Sequence, residues 1–307
     1  MALFQNNVGF NITKSKLQLV EVNFNDTNFI LENVDEEFFP DFIEPDVKDT
    51  KFISVLRAAL NSLLLKKSIN SSYSSFLLPF EFFKIVSIPF DNTLLDNDLE
   101  DLIKWEFSVL YPNLNCNDFV IRHVKVEESS LLKKNVIIFY ALEKRIIKIL
   151  NKFAAVNNLK IRFLDNVHLA ANLNIFASVD FNKLQNSVSL YITEDSINFM
   201  VLEGPNIVYS NNFKYNNIHE ILDAVKNSFL SLKNVGIDSN LINKAYVFTD
   251  SVTDNIIDQI RTKLNVDLIR ISPFDTILQS DNIKNNELLQ RKILSFSAPL
   301  GIVLRLE

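Results

Sequence analysis

Glycine is the residue this chain most lacks. Four of them, Gly9, Gly204, Gly236 and Gly301, stand in 307 residues, where average usage of ~7% would give roughly 21. That deficit removes the GxGxxG and GxxxxGK[ST] phosphate loops, which need backbone without a Cβ against phosphate oxygens. A single cysteine, Cys116, excludes an internal disulfide and fits a reducing compartment. Three histidines, His123, His168 and His219, leave no Cys/His cluster at metal-ligand spacing. No window approaches 18 uninterrupted apolar residues, and the start MALFQNNVGF lacks the basic and apolar regions of a signal peptide, so a cytosolic protein is expected. A net charge of -6, spread along the chain, repels phosphate backbones, and nucleic-acid binding is not expected.

What is present is enough for a large core: 48% hydrophobic and 22% charged residues, a length suited to two domains, and a mean hydropathy of +0.10, too low for a multispan membrane protein. The first segment alternates in short runs, VGFNI, KLQLVEVNF and NFILENV, joined by Thr13-Lys14-Ser15 and Asn25-Asp26-Thr27. Period-two runs with such connections predict an antiparallel meander. Beyond the loop from Pro40 to Pro45, the residues Phe52, Val55, Leu56, Ala59, Leu60 and Leu63 recur at helical spacing. A strand follows at Ser75 to Leu78.

From about Lys84 to Asp165 the pattern reads strand KIVSIPF, helix 95–110, strand DFVIRHVKV, strand NVIIFYAL, helix 143–157 and strand LKIRFL. That order predicts an inserted βαββαβ module over 85–165. Then the first pattern returns. At an offset of 180, VGFNITKSKLQLV lies over VSLYITEDSINFM, with identity at Val8/Val188, Ile12/Ile192 and Thr13/Thr193. With the strand IVYSNNFKY that follows it, this second copy again makes three short strands, and a helix with a stripe at Ile218, Ile221, Leu222, Val225, Phe229 and Leu232 comes next, as in the first. A strand KAYVFTD, a helix over 253–264, a strand DLIRI and a last apolar helix from about Leu288 complete it.

Two βββαβ-type halves around an insert resemble the duplicated actin-like (ribonuclease H-like) ATPase fold, and the place of the insert resembles its FtsA/PilM branch. Within that branch the chain is most similar to the PilM family of type IV pilus assembly, on Gly9 to Glu21, Leu99 to Pro112 (LEDLIKWEFSVLYP), Leu164-Asp165-Asn166 with Ala170-Ala171, and Ala298 to Arg305. The resemblance implies a first half over 1–84 completed by the C-terminal helix at about 288–307, an inserted βαββαβ subdomain over 85–165, and a second half over 166–287.

It also implies three nucleotide loops. In the family an Asp-x-Gly hairpin in each half grips Mg-ATP, the carboxylate holding the metal through water and the glycine letting backbone N–H groups near phosphate. Here Asn11-Ile12-Thr13 and Tyr191-Ile192-Thr193 stand at those places, and Thr249-Asp250-Ser251 replaces the Gly-Gly pair that cradles adenosine. Asn carries no charge for a metal, Tyr is bulky, and β-branched Thr disfavours positive φ. The positions matching the loops are Asn11, Thr13, Lys14, Ser15, Thr193, Glu194, Asp195, Ser196, Thr249, Asp250 and Ser251, and they are expected to serve as turn residues without ATP or Mg²⁺. The alternative is an actin-like ATPase that still binds ATP and self-assembles.

The resemblance implies a non-catalytic cytosolic scaffold, peripheral to the inner membrane through a partner: the cytosolic tail of a PilN-like protein, held between first half and insert. No direct membrane insertion is expected, because the end SFSAPLGIVLRLE lacks a basic amphipathic extension. On helix 95–110, Glu106 falls within the stripe Leu99, Leu102, Ile103, Phe107 and Leu110 at about 100° per residue. A buried salt bridge or cap is its expected role, and Trp105 is expected to fill the edge of the insert's core, with partner binding the alternative for both. Asp35-Glu36-Glu37 are expected to be solvated, and Phe38, Phe39 and Phe42 to tuck under the following helix.

Overall fold

The structure, a computed structural model, describes residues 6–305 apart from 26–27, 179–181, 183–184, 218, 250–253, 265–266, 275–276 and 285. Strands β1 (Asn7–Ile12), β2 (Lys16–Phe24) and β3 (Phe29–Phe38) form the expected meander, followed by helix α1 (Asp49–Lys66) and β4 (Tyr73–Leu78). A small unit follows: β5 (Phe83–Pro89), α2 (Asp96–Leu110), β6 (Phe119–Val126) and β7 (Val136–Glu143). Next come α3 (Lys144–Val156), β8 (Lys160–Asn166) and α4 (Val167–Ala177). The second half has β9 (Asn186–Ile192), β10 (Ser196–Glu203), β11 (Asn206–Lys214), α5 (Glu220–Asn234), β12 (Lys244–Thr249), α6 (Asp254–Leu264) and β13 (Asp267–Arg270). The chain closes through β14 (Leu278–Gln279), α7 (Asp281–Lys284), α8 (Glu287–Lys292) and α9 (Ser297–Val303).

The two large sheets share one topology. The first runs β14-β3-β2-β1-β4-β8 and the second β11-β10-β9-β12-β13, so β8 and β13 are equivalent fifth strands. Each pairs in parallel with the strand before it, β4 or β12. The repeat extends to atoms in the turns: Thr13 N–H donates to Lys16 O at 3.0 Å, and Thr193 N–H to Ser196 O at 2.9 Å. Both threonine hydroxyls also donate to those same carbonyls, at 3.1 and 3.2 Å.

The insert is smaller than the element order suggests. Its three-stranded sheet is β5-β7-β6, while α3 and β8, expected within it, belong to the first half. Ile146, Ile149, Leu150 and Phe153 of α3 share a buried cluster with Phe52, Leu56 and Leu60 of α1 and with Phe10 and Phe76. A contiguous strand–helix–strand rhythm cannot tell which sheet an edge strand joins; the buried face of α3 decides it.

Alternation assigns each strand residue to a layer. In the first half Val8, Phe10, Ile12, Leu17 and Leu19 face α1 and α3, whereas Val20, Val22, Leu31 and Leu77 face α4 and α9. In the insert Ile137, Phe139 and Ala141 of β7 lie under α2. Their neighbours Val136, Ile138 and Tyr140 turn the other way, and with Leu131 and Leu132 they pack into the core of the second half. The insert therefore braces the first half to the second.

Helices α4 and α9 form the seam between the halves. A Cβ on Gly301 of α9 would lie 2.0 Å from the Ala170 carbonyl oxygen of α4, and one on Gly9 of β1 2.5 Å from the Pro299 carbonyl oxygen. Two of the chain's four glycines thus serve close backbone approach at one seam. Asn174 Nδ2 donates across it to Ser297 O at 2.7 Å and to Ala171 O of its own helix at 2.9 Å. Asn166, whose side chain accepts from His168 N–H at 2.9 Å, caps α4.

Other expectations are revised. Glu36 is buried, not solvated: Lys16 Nζ lies 2.9 Å and Lys292 Nζ 2.5 Å from its carboxylate. Burial pushes the Glu36 pKa up, but these two lysines offset that and hold it below the usual range. Phe39 and Ile43 do pack into the core, whereas Phe38 and Phe42 stand exposed. The ammonium groups of Lys16 and Lys292 sit 5.8 and 5.4 Å from the Phe38 ring centre.

Two outcomes follow from the packing. Gly301→Ala must push α9 off rigid backbone and should cost roughly 1–3 kcal/mol; an unchanged denaturant midpoint would contradict the seam. Deleting residues 85–165 removes α3 and β8 as well as the insert, so the product should be insoluble or lack a cooperative melt in circular dichroism. A soluble, cooperatively melting product would show that α3 and β8 are dispensable.

Candidate functional site

The hairpin turns of the two repeats, at 13–15 and 193–195, meet where the halves face each other. Lys14 Nζ lies 2.5 Å from Asp195 Oδ2 and 3.6 Å from Glu44 Oε1. Ser15 Oγ donates to Glu194 Oε1 at 3.0 Å, and Ser196 Oγ to Glu81 Oε1 at 3.3 Å. Tyr215, at the end of β11, donates its hydroxyl to the Thr193 carbonyl, tying the second turn to its own half. Burial lowers the Lys14 pKa, but Asp195, Glu81 and Glu44 outweigh it and raise it above the ordinary value. A raised lysine pKa contributes stability fully below the unfolded value of 10.5, lost only as pH climbs through the folded value. The clasp therefore stays charged at neutral pH.

Little space remains between the turns. Asn11 to Ser15, Pro79, Glu81, Val167, Tyr191 and Thr193 to Asp195 enclose about 30 Å³, of the order of one water. Tyr191 is buried with its ring 5.8 Å from His168. Asn11 is fully buried and donates to Gln18 Oε1 at 2.8 Å. The carboxylates at this place, Glu81, Glu194 and Asp195, each accept a hydrogen bond from the facing hairpin or its neighbour. Among the described residues no group of three or more His, Cys, Asp or Glu is arranged to hold a metal ion. In this arrangement the turns leave little room between them, and their carboxylates are engaged by the facing hairpin or its neighbour.

The structure thus brings together Asn11, Thr13, Lys14, Ser15, Thr193, Glu194, Asp195 and Ser196. Thr249 ends β12 beside Ile192 in parallel register; Asp250 and Ser251 lie outside the described residues. His168, Ser189 and Asn172 form a hydrogen-bonded row, with His168 Nε2 at 2.7 Å from Ser189 Oγ, which donates to Asn172 Oδ1 at 2.5 Å. All three are buried, and burial drives the His168 pKa down to about 3, so the imidazole stays neutral.

A second, open cleft of about 790 Å³ lies between α1, α3 and the loop before β6. Ile53, Leu114, Phe119 and Ile149 give it apolar surface, and Lys144, Lys148 and Lys152, one helical turn apart on α3, line one side. Arg145 is occupied, with Asp49 at 2.7 Å, Glu143 at 3.2 Å and the carbonyls of Pro45 and Val47. Sequence reasoning missed this wall because α3 was read as part of the insert. The signal was present: three lysines at spacing four beside Ile149.

Trp105 and Glu106 do not line that cleft. Trp105 is 59% exposed on the outer side of α2 and does not fill the insert's core. Glu106 is half-buried and, among the described residues, forms no salt bridge. The stripe that enters the insert's core is Leu99, Ile103 and Phe107; Trp105 falls on the far side of the helix from it, and half-buried Glu106 at its edge.

No family model and no curated protein matches this sequence. Solved structures do. A chain of the PilM–PilN type IV pilus biogenesis complex superposes with a TM-score of 0.72 at 16% identity, covering 99% of both chains. A Bacteroides thetaiotaomicron protein with an actin-like ATPase fold and unknown function aligns at TM-score 0.50 and 12% identity, over 95% of this chain and 96% of that one. The cytoplasmic domain of EpsL, an inner-membrane component of the Vibrio cholerae type II secretion system, aligns at 0.50 and 5%, over 85% and 95%. The chain has the actin-like ATPase fold, and in its overall arrangement it is similar to the PilM–PilN complex chain.

Millimolar Mg-ATP should leave the melting temperature unchanged, since a ligand at 100 times its dissociation constant would add ~2.7 kcal/mol. A clear upward shift would mean that the hairpins part and the pocket opens.

Proposed function

We propose that this protein is a PilM-like scaffold without an ATPase cycle, serving a type IV pilus or related secretion or motility machine. Its task is to hold the cytosolic tail of a PilN-like inner-membrane protein in the cleft between first half and insert, so that it works at the membrane through that partner. The observation that carries the reading is a contrast within one molecule: the hairpins matching the family's nucleotide loops are clasped together by Lys14 and Asp195, while the cleft between α1, α3 and the loop before β6 stands open with apolar floor and cationic side.

The chemistry supports each part. A hydrolysing actin-like protein must open and close around nucleotide, whereas here the hairpin clasp, the insert packed into the second half and the α4–α9 seam all hold the halves together. A cleft between two packed units suits a linear peptide, which buries a few apolar anchors and leaves its polar groups at the rim. Ile149 is 4% exposed and Phe119 7%, so the floor is preformed and little ordering is needed on binding. Among the described residues no helix is long and apolar enough to cross a membrane.

The test uses the cytosolic tail of a single-span protein encoded beside this chain, made as a labelled peptide and titrated by fluorescence anisotropy. Binding should be lost with Ile53→Glu at the floor, a loss of about 2 kcal/mol or more for a buried anchor. Lys148→Glu should also weaken it, with a smaller salt dependence remaining. Binding unaffected by both changes would move the site elsewhere.

A further inference from the structure

We propose that the outward stripe of α2 is a second docking surface, for a positively charged amphipathic helix of a partner protein. It lies apart from the tail cleft, and its test does not depend on that reading.

Helix α2 carries two apolar rows. Leu99, Ile103 and Phe107 are buried on the three-stranded sheet. Leu102, Trp105 and Val109, at spacing i, i+3, i+7, form the other row on a neighbouring face. Trp105 is 59% and Val109 54% exposed, and half-buried Leu102 joins them to the insert's core. Isolated surface apolar residues are ordinary, but the chain's only tryptophan set in a helical row with valine and leucine makes a contiguous patch. Tryptophan is also the residue type most enriched where binding energy concentrates.

Charge indicates what covers it. At about 100° per residue, Asp98 falls within the row, nearly two turns before Trp105, while Asp101 flanks the row on one side and Glu106 on the other. The helix carries Asp96, Asp98, Glu100, Asp101 and Glu106 against one cation, Lys104, which is held by Asp101 at 3.1 Å. Asp96 is engaged by Lys125 at 2.7 Å. Glu100 lies on the opposite side of the helix; among the described residues Asp98 and Glu106 form no salt bridge, so the row and its flank offer unneutralised carboxylates. A partner must therefore bring lysine or arginine beside its apolar row. The same charge repels anionic lipid and a second α2.

Shape favours a helix as the occupant. The row is convex and straight, from 102 to 109 roughly 11 Å long at 1.5 Å per residue. Ridges of that kind pack into the grooves of another helix, whereas an extended peptide needs a cleft or a sheet edge. So small a surface suits a weak, reversible contact.

Because Trp105 is the only tryptophan, its fluorescence reads the surface directly in the full chain. Three tryptophan-free 18-residue peptides serve as probes: an amphipathic Leu/Lys helix, its Leu/Glu counterpart, and a Lys/Ser peptide of equal positive charge. The Leu/Lys helix should give a saturable blue shift, weakened at least tenfold by Val109→Asp and by the pair Asp98→Lys with Glu106→Lys, all at exposed or half-exposed positions whose folding circular dichroism confirms. No shift, equal binding of the Leu/Glu or Lys/Ser peptide, or unchanged affinity in the variants would overturn the proposal. A shift on concentrating the protein alone would name a second copy as the occupant and overturn it too.

Discussion

The contact on which the rest of this molecule depends is the approach of α9 to α4, backbone against backbone, at Gly301 and Ala170. A side chain at 301 would need space that the Ala170 carbonyl already fills, so the seam can close only with glycine there. Once closed, it fixes the angle between the two sheets, and with it the distance between the hairpins at 13–15 and 193–195. The arrangement between the hairpins follows from that distance: the turns are near enough for Lys14 to reach Asp195 and Ser15 to reach Glu194, and the space between them is about 30 Å³.

The insert acts on the same constraint from outside. Its sheet has two apolar faces, one under α2 and one against the second half, where Leu131 and Leu132 enter the core and Leu132 bridges to Ile237. Such a brace resists hinge motion, because opening would expose buried apolar surface on both units. A protein held in this way presents fixed surfaces. The cleft beside α3 and the stripe on α2 both depend on that rigidity: preformed sites lose less entropy on binding than mobile ones.

Much of this was legible in the sequence. Alternation and turn residues gave the meanders, the spacing of Phe52 to Leu63 gave α1, and the offset of 180 gave the duplication, later matched down to the Thr13 and Thr193 turns. The replaced residues Asn11, Thr13, Tyr191 and Thr193 were readable as chemistry, since each side chain's charge, bulk or branching is a property of the residue itself. Less was readable in the insert. The rhythm of 85–165 was seen, yet β8 proved to be the fifth strand of the first sheet, because strand pairing is a contact between residues some 87 positions apart, Tyr73 with Lys160. Glu36 was read as solvated for the same reason: Lys292, which neutralises it, is 256 positions away.

By itself the sequence determined the periodicities, the duplication and the residue types that stand in the two hairpin turns, because these rest on local backbone preference and side-chain type. Only the tertiary structure decided that the two degraded turns grip each other, that α3 walls a cleft, and that Trp105 faces outward. Those outcomes depend on which apolar face each helix buries when several could be buried. For α2 two adjacent rows competed, and the one holding Phe107 won because its large ring fits between Phe119 and Tyr111 at centroid distances of 5.0 and 5.1 Å, leaving the tryptophan to solvent.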